Sequence, residues 1–430
     1  MRRRVLVIAA AVLVAVAVLV VVLTRGGGEA PRPPRPAPPG LEPLAFMPAG
    51  ASAVLDFDTR QAPAAFAAIG LIPELPGSPL TANQVQRLTG GWISVALSRG
   101  QLWIAAQSRA APPRPSGGAV AGTRAGTVVI APDAARLQAS LAGAAAAAPT
   151  ARAEYDRRFT GLPASGARVA FDPGAALAAR SPEVARTVWG QSLREGAAVL
   201  VVRGDRITLP FQVTADPVKP ADLPIATGAG TPQADGEGPV VAAVRSPAQT
   251  LAFLRDAGLL PALDVLGRAP GFLRPDVNDL GPQATIVASD QEHLTVRTTP
   301  PDPGDWSKKL DRLDALSGLI RFTGLADVRI DRGGDGVYTI ENDGELAGRV
   351  GVYGPVVVFS TDPGADLAAA ARAPAAPPVD GAAGALTVRV AQSLFGSLLP
   401  ALARGHVGDV TGWARAEVSS VRGELGVQVR

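Results

Sequence analysis

The chain has 430 residues, of which 47% are hydrophobic and 4% aromatic, with no cysteine and two histidines. Its formal charge of +3 is misleading, because residues 1–35 hold six arginines and one glutamate and leave the rest slightly acidic. A nucleic-acid binder carries its basic excess on the folded part, so that class is excluded. The scarcity of His and Cys argues against zinc, haem and disulfide scaffolds.

Arg2, Arg3 and Arg4 precede Val5–Leu23, an unbroken run of Val, Leu, Ala and Ile. At about 1.5 Å per residue this run reaches about 28 Å, close to the thickness of a bilayer's hydrocarbon core. It lacks the polar stripe of a buried amphipathic helix. It is also longer than the apolar region of a cleaved signal, with no A-x-A-like site after it, so residues 1–25 are predicted to be a retained transmembrane anchor. The arginine cluster at the membrane edge, with no second apolar span, predicts a cytoplasmic N-terminus and an extracytoplasmic C-terminal domain. Without cysteine, lipid attachment through a lipobox is excluded. Residues 26–43, GGGEAPRPPRPAPPGLEP, form a flexible joint followed by an extended polyproline stalk.

Beyond the stalk the length suits two domains. Ala53 onward (AVLDFDTRQAPAAFAAIGLIPEL) and Val240 onward (VVAAVRSPAQTLAFLRDAGLLPAL) share one order: short strand, turn, Ala-rich helix, Gly-Leu-(Ile/Leu)-Pro. A hairpin follows each, turning at Ser98-Arg99-Gly100 and around Asp290-Gln291. Gly126–Ile130 and Gly354–Val358 are then predicted strands that lead into capped helices. The last pair, AAVLVVRGDRITLPFQV and WARAEVSSVRGELGVQV, is predicted to turn at Arg203-Gly204-Asp205 and Arg422-Gly423-Glu424. Elements recurring in one order predict an internal duplication, with half 1 over 44–216, a Pro/Gly-rich linker over 217–236 and half 2 over 237–430. Half 2 adds the amphipathic helix DWSKKLDRLDALSGLI and hairpins from Val328 to Phe359. Half 1 has only PPRPSGGAVAGTRAG at that place, predicted to be a disordered or shortened loop. The fold class is α+β, with antiparallel or mixed sheets packed on one face by helices.

The Arg-flanked anchor, the Pro-rich stalk and the opening strand Met47-Pro48-Ala49-Gly50-Ala51-Ser52-Ala53-Val54-Leu55-Asp56-Phe57-Asp58 together resemble the bacterial domain-of-unknown-function family numbered thirty-three fifty-two. Gly50 stands where that family's opening has an acidic residue. The resemblance implies a membrane-anchored extracytoplasmic protein and transfers no catalytic residues.

No G-x-S-x-G, Ser-x-x-Lys, phosphate loop or G-x-G-x-x-G occurs. His293 follows a hairpin turn and reads as solvated, and His406 follows a helix whose C-terminal dipole favours its cation. Asp56 and Asp58 alternate along a strand and so share a face, as a metal-bridging pair requires. Asp331 with Asp335-Gly336 faintly resembles a calcium loop, but the third-position ligand and the bidentate Glu are missing, so a tight turn explains it better. Arg203-Gly204-Asp205 spells an adhesion tripeptide that the repeat already accounts for. Hence no catalytic, cofactor-binding or metal residue is assigned. The expected role is non-enzymatic: binding an envelope protein or apolar envelope ligand, including lipid, in a groove between the halves. The alternatives are a membrane-tethered hydrolase working through Asp56, Asp58 or Glu154, and a structural spacer.

Overall fold

The structure, a computed structural model, describes residues 41–227, 230–257, 280–288, 293–316, 328–342, 344–395 and 407–429. The expected anchor and most of the stalk lie outside these residues, as do His406 and the Asp290-Gln291 turn. Among the described residues no helix is long and apolar enough to cross a membrane.

A 3-10 turn at Pro43–Phe46 leads into β1 (Ala53–Asp58), α1 (Ala62–Leu71), α2 (Ala82–Leu88), β2 (Trp92–Ser98), β3 (Gln101–Gln107), β4 (Val120–Arg124) and β5 (Thr127–Ala131). Next come α3 (Ala134–Arg157), β6 (Ala167–Phe171), the short helices α4 (Pro173–Arg180), α5 (Pro182–Ala185) and α6 (Val188–Ser192), then β7 (Leu193–Val199), β8 (Val201–Arg203) and β9 (Arg206–Ala215). Local chemistry sets the boundaries. Thr81 and Gln84 form a reciprocal capping box on α2, and Asp133 caps α3 by accepting from the Arg136 amide. The β2–β3 turn places Arg99 and Gly100 at φ 50° and 74°, the paired positive values of a type I′ hairpin.

The strands pair antiparallel in the order β4-β5-β3-β2-β1-β6-β7-β9, with β8 on the start of β9. Strict alternation sends Leu55, Phe57, Ile93, Val95, Ile104 and Ile130 to a core shared with α1 and α2. The intervening Val54, Ala96, Trp103 and Val129 go to a second core under α3 and the 3-10 turn. The helices therefore cover both faces here, correcting the expectation of one; both parities of these strands are apolar, as a doubly covered sheet requires. The stretch expected as a loop is also corrected, since it contains β4, which turns into β5 through Ala125 and Gly126 at φ 45° and 78°.

The second half comprises β10 (Val240–Arg245), α7 (Pro247–Asp256), β11 (Gln283–Ala288), β12 (Leu294–Thr298), α8 (Pro303–Leu316), β13 (Val328–Arg332), β14 (Tyr338–Asn342), β15 (Glu345–Tyr353) and β16 (Val356–Ser360). It closes with α9 (Leu367–Ala371), β17 (Leu386–Val390), α10 (Gln392–Phe395), β18 (Val407–Glu417) and β19 (Ser420–Val429). β10 pairs with β11 on one side and β17 on the other, as β1 does with β2 and β6. The order continues β11-β12-β16-β15-β14-β13 outward and β17-β18-β19 inward. The apolar stripe of α8, Trp306, Leu310 and Leu313, packs on Ile330, Ile340 and Val350, as its amphipathic pattern predicts.

β19 then pairs antiparallel with β9, from Ser420 opposite Thr214 to Gln428 opposite Arg206, so the strands of the described residues form one 19-stranded sheet. This corrects the second predicted turn. β18 ends at Glu417 and β19 starts at Ser420, so the chain turns at Val418-Ser419 and Gly423 lies inside β19. There it opposes Ala414 on one side and Phe211 on the other. A Cβ on Gly423 would collide with the Trp413 carbonyl oxygen and lie 2.5 Å from the Phe211 ring, so this glycine admits a neighbouring ring rather than bending the chain.

The linker 217–236 is seated on the fold. Leu223, Ile225 and Ala226 are buried with Ala385 and Ala416. Gln249 of α7 donates to the carbonyls of Pro220, Leu223 and Ile225. Beside them Trp189 of α6 meets Phe253 of α7 edge-on at 6.0 Å.

Gly423→Val is expected to cost about 1–3 kcal/mol through forced overpacking at the β9–β19 seam. Gly143→Ala, on α3 with open space around it, is expected to stabilise by up to about 1 kcal/mol through helix propensity. Urea unfolding of both variants checks the opposite signs.

Candidate functional site

β1, α3 and β6 bring the strongest polar cluster of the first half together. Asp56 sits mid-strand with Ser94 of β2 and Arg168 of β6 as its lateral neighbours, and its side chain is fully buried. It accepts from Ser94 Oγ at 2.7 Å, Arg152 Nη1 at 2.6 Å and Arg168 Nη2 at 3.0 Å. Arg152 also pairs with Glu42 beside the 3-10 turn, and Arg168 pairs with Asp156 at 2.8 Å. The Arg152 guanidinium lies 3.9 Å from the Trp92 ring centroid, a close cation–π contact. Burial would lower the basicity of Arg152, but Asp56 and Glu42 outweigh it and push its pKa up. Tyr155, buried beside them, donates to the Val54 carbonyl at 3.1 Å. Burial raises its phenol well above the ordinary value, so the hydroxyl remains a donor.

The sequence places Asp56 and Asp58 on one face, and so does the fold, but each has its own arginine partners. Asp58 takes a bidentate pair from Arg60 at 2.6 and 2.9 Å. Burial pushes the Asp58 carboxyl up, yet the hydrogen bonds and charge of Arg60 prevail and hold it below the usual 3.8. A base or a metal ligand needs free lone pairs, and these carboxylates spend theirs on guanidinium and hydroxyl donors. Glu154 is exposed on α3, two residues along from Arg152 and so on another side of the helix. The hydrolase trio therefore shares no constellation.

Asp331 pairs with Arg329 at 2.7 Å and Asp335 accepts from the Val337 amide, which makes this stretch a hairpin turn. His293 is half-buried just ahead of β12. Arg203, Gly204 and Asp205 lie exposed at the β8–β9 turn, with Gly204 at φ 60°. Among the described residues no cluster of three or more His, Cys, Asp or Glu is placed to hold a metal.

Sequence reasoning missed Arg152, Arg168, Asp156 and Trp92. The signal for the helix members was the spacing of Arg152, Tyr155, Asp156 and Phe159, which at i, i+3, i+4, i+7 marks one face. It also missed a cavity of about 250 Å³ in the second half, on the sheet face formed by Val241, Thr387 and Arg389 and closed by residues 231–234 and 376–382.

No protein-family model matches the chain, and no curated protein matches it. Among solved structures, crystal form I of TP0453 is similar with a TM-score of 0.27 at 13% identity, covering 42% of this chain and 81% of that one. Crystal form III of TP0453 gives 0.27 at 12% identity, covering 42% and 82%. These values are too low to support an argument from shared fold.

Asp56→Asn is expected to cost about 3 kcal/mol, because it leaves Arg152 and Arg168 without their shared counter-charge; Glu154→Gln is expected to stay within about 0.5 kcal/mol. Denaturant unfolding reads both. Because the folded Asp58 pKa is depressed, its stabilisation is present above the ordinary 3.8 and lost as pH falls through the lower folded value. In Arg60→Gln the NMR titration of Asp58 is expected to move upward, since burial is then opposed only by the amide of residue 60 and the Gln61 side chain.

Proposed function

We propose that the chain is a non-enzymatic, single-pass membrane protein whose extracytoplasmic region binds a protein partner or an apolar envelope ligand. The observation that carries this reading is a contrast between its two candidate sites. Of the carboxylates weighed for hydrolysis, Asp56 and Asp58 are saturated by arginines and Glu154 lies apart, exposed on α3, whereas the second half keeps a cavity lined mostly by apolar residues. The membrane placement rests on Val5–Leu23 and its flanking arginines.

The two halves are further proposed to descend from an internal duplication. The pairing order around β10 repeats that around β1, with β13 and β14 as an addition. The corresponding last strands, β9 and β19, pair antiparallel with each other, the arrangement that a two-fold relation between like halves produces.

Affinity capture with the tagged full chain from its own membranes, read by protein and lipid mass spectrometry, tests the binding role. Specific enrichment of one envelope protein or one apolar lipid class is expected, and recovery equal to an untagged control would overturn it. A C-terminal alkaline-phosphatase fusion is expected to be active; an inactive fusion at full expression would place the domain inside the cell.

A further inference from the structure

The halves differ at one place, and the difference leaves a hole. With Ala53 set against Val240, the register pair Val54–Ala170 of the first half corresponds to Val241–Arg389 of the second. Above Val54–Ala170 stands Tyr155, 7% exposed, its hydroxyl on the Val54 carbonyl and its ring 4.9 Å from Phe159. Tyr155 reaches that place because α3 runs for 24 residues. The helix after β16 in the second half, α9, runs for five. The chain then crosses the sheet without a helix or strand until β17, so among the described residues no helix supplies a ring over Val241.

What remains there is the cavity of about 250 Å³. Its sheet floor holds Val241 at 2% and Thr387 at 3% exposed, and Ala376, at 8%, closes over it. The Thr387 hydroxyl is already committed to the Pro232 carbonyl, so the floor offers little to a polar ligand. Val379 and exposed Pro377 form the rim. Arg389 points its charge into this setting. Its Nη2 donates to the Pro377 carbonyl at 3.1 Å, which fixes the guanidinium at the wall. Among the described residues Arg389 pairs with no carboxylate, unlike Arg152 and Arg168 on the matching face of the first half. A half-buried guanidinium beside an apolar hollow favours an anion that brings its own apolar body.

We propose that this cavity binds a small apolar carboxylate, an aryl or medium-chain acyl acid with a body about the size of a tyrosine ring, and that Arg389 is its counter-ion. The body occupies the place that Tyr155 fills in the first half, and the carboxylate lies against the guanidinium edge left free by Pro377. The inference rests on the binding reading above and gives it a site and a chemical class.

The test uses the full chain in lipid nanodiscs, titrated calorimetrically with 3-phenylpropionate, octanoate and the neutral 3-phenylpropanol. Saturable binding of an acid at one per chain is expected, with the alcohol at least about tenfold weaker, since a hydrogen bond to a charged group contributes about 1.5–3 kcal/mol. Arg389→Gln is expected to lower acid affinity about tenfold, to the level of the alcohol, with melting temperature unchanged. Val379→Trp, which fills the hollow from its rim, is expected to abolish binding of all three and tests the site independently if Arg389→Gln fails to fold. No saturable acid binding by the parent chain, or equal binding by the variants, would overturn the site. Membrane capture of an envelope protein without any acid binding would remove this site and leave the broader binding reading standing.

Discussion

The pairing of β9 with β19 is the constraint on which the rest of the architecture depends. Either half alone would end in a long strand with its amides and carbonyls unpaired, a template for unwanted association. Joining the two strands satisfies both edges at once and makes one sheet of the whole described structure. The join needs Phe211 to cross onto the partner strand, and the missing side chain of Gly423 makes room for it. The same device recurs within the halves, where the Phe171 ring lies over Gly196 and the Phe359 ring over Gly348. Three of the chain's phenylalanines are thus used where a glycine opens a gap between strands.

Within the first half, the arginine cluster fastens the layers to the sheet. Asp56 is a buried charge that only its donors make tolerable. Through Arg152 it ties α3 and the 3-10 turn at Pro43–Phe46 to β1, and through Arg168 it ties β6. The second half carries Ala243 at the matching register, between Thr285 and Thr387. Those threonines bond the linker instead, Thr285 accepting from the Asp235 amide and Thr387 donating to the Pro232 carbonyl. One half is thus covered by a long helix held by ion pairs, the other by an extended strap held by neutral hydrogen bonds to the threonines together with the Asp235–Arg297 ion pair.

Much of this is legible in the residues. The short apolar runs of β1, β2 and β10, the turn at Arg99-Gly100 and the stripe of α8 each follow from periods and turn chemistry that act over a few neighbours. Local chemistry misleads where a distant strand decides. Gly423 looks like a turn glycine from its own neighbours, and only Phe211, more than two hundred positions earlier, shows otherwise. The stretch containing β4 is rich in small residues and reads as loop, yet the edge of β5 recruits it. Asp56 and Asp58 share a face as alternation requires, but whether such carboxylates are free or neutralised depends on Arg60, Arg152 and Arg168, whose positions only the folded chain sets. The cavity is a missing ring and leaves no residue of its own to read.

The seam also sets a timetable. On a ribosome the first half emerges complete with its helices and hairpins, but its last strand must wait for residues about two hundred positions downstream. At about 5–20 residues per second that interval lasts roughly 10–40 s, during which β9 presents a bare ladder to any passing chain. A short, charged turn at Arg203-Gly204-Asp205 and the proline at Pro210 are the kinds of features that discourage intruders at such an edge. Vectorial synthesis therefore makes the terminal strand a latch, and the nascent protein is most exposed to misassociation just before the latch arrives.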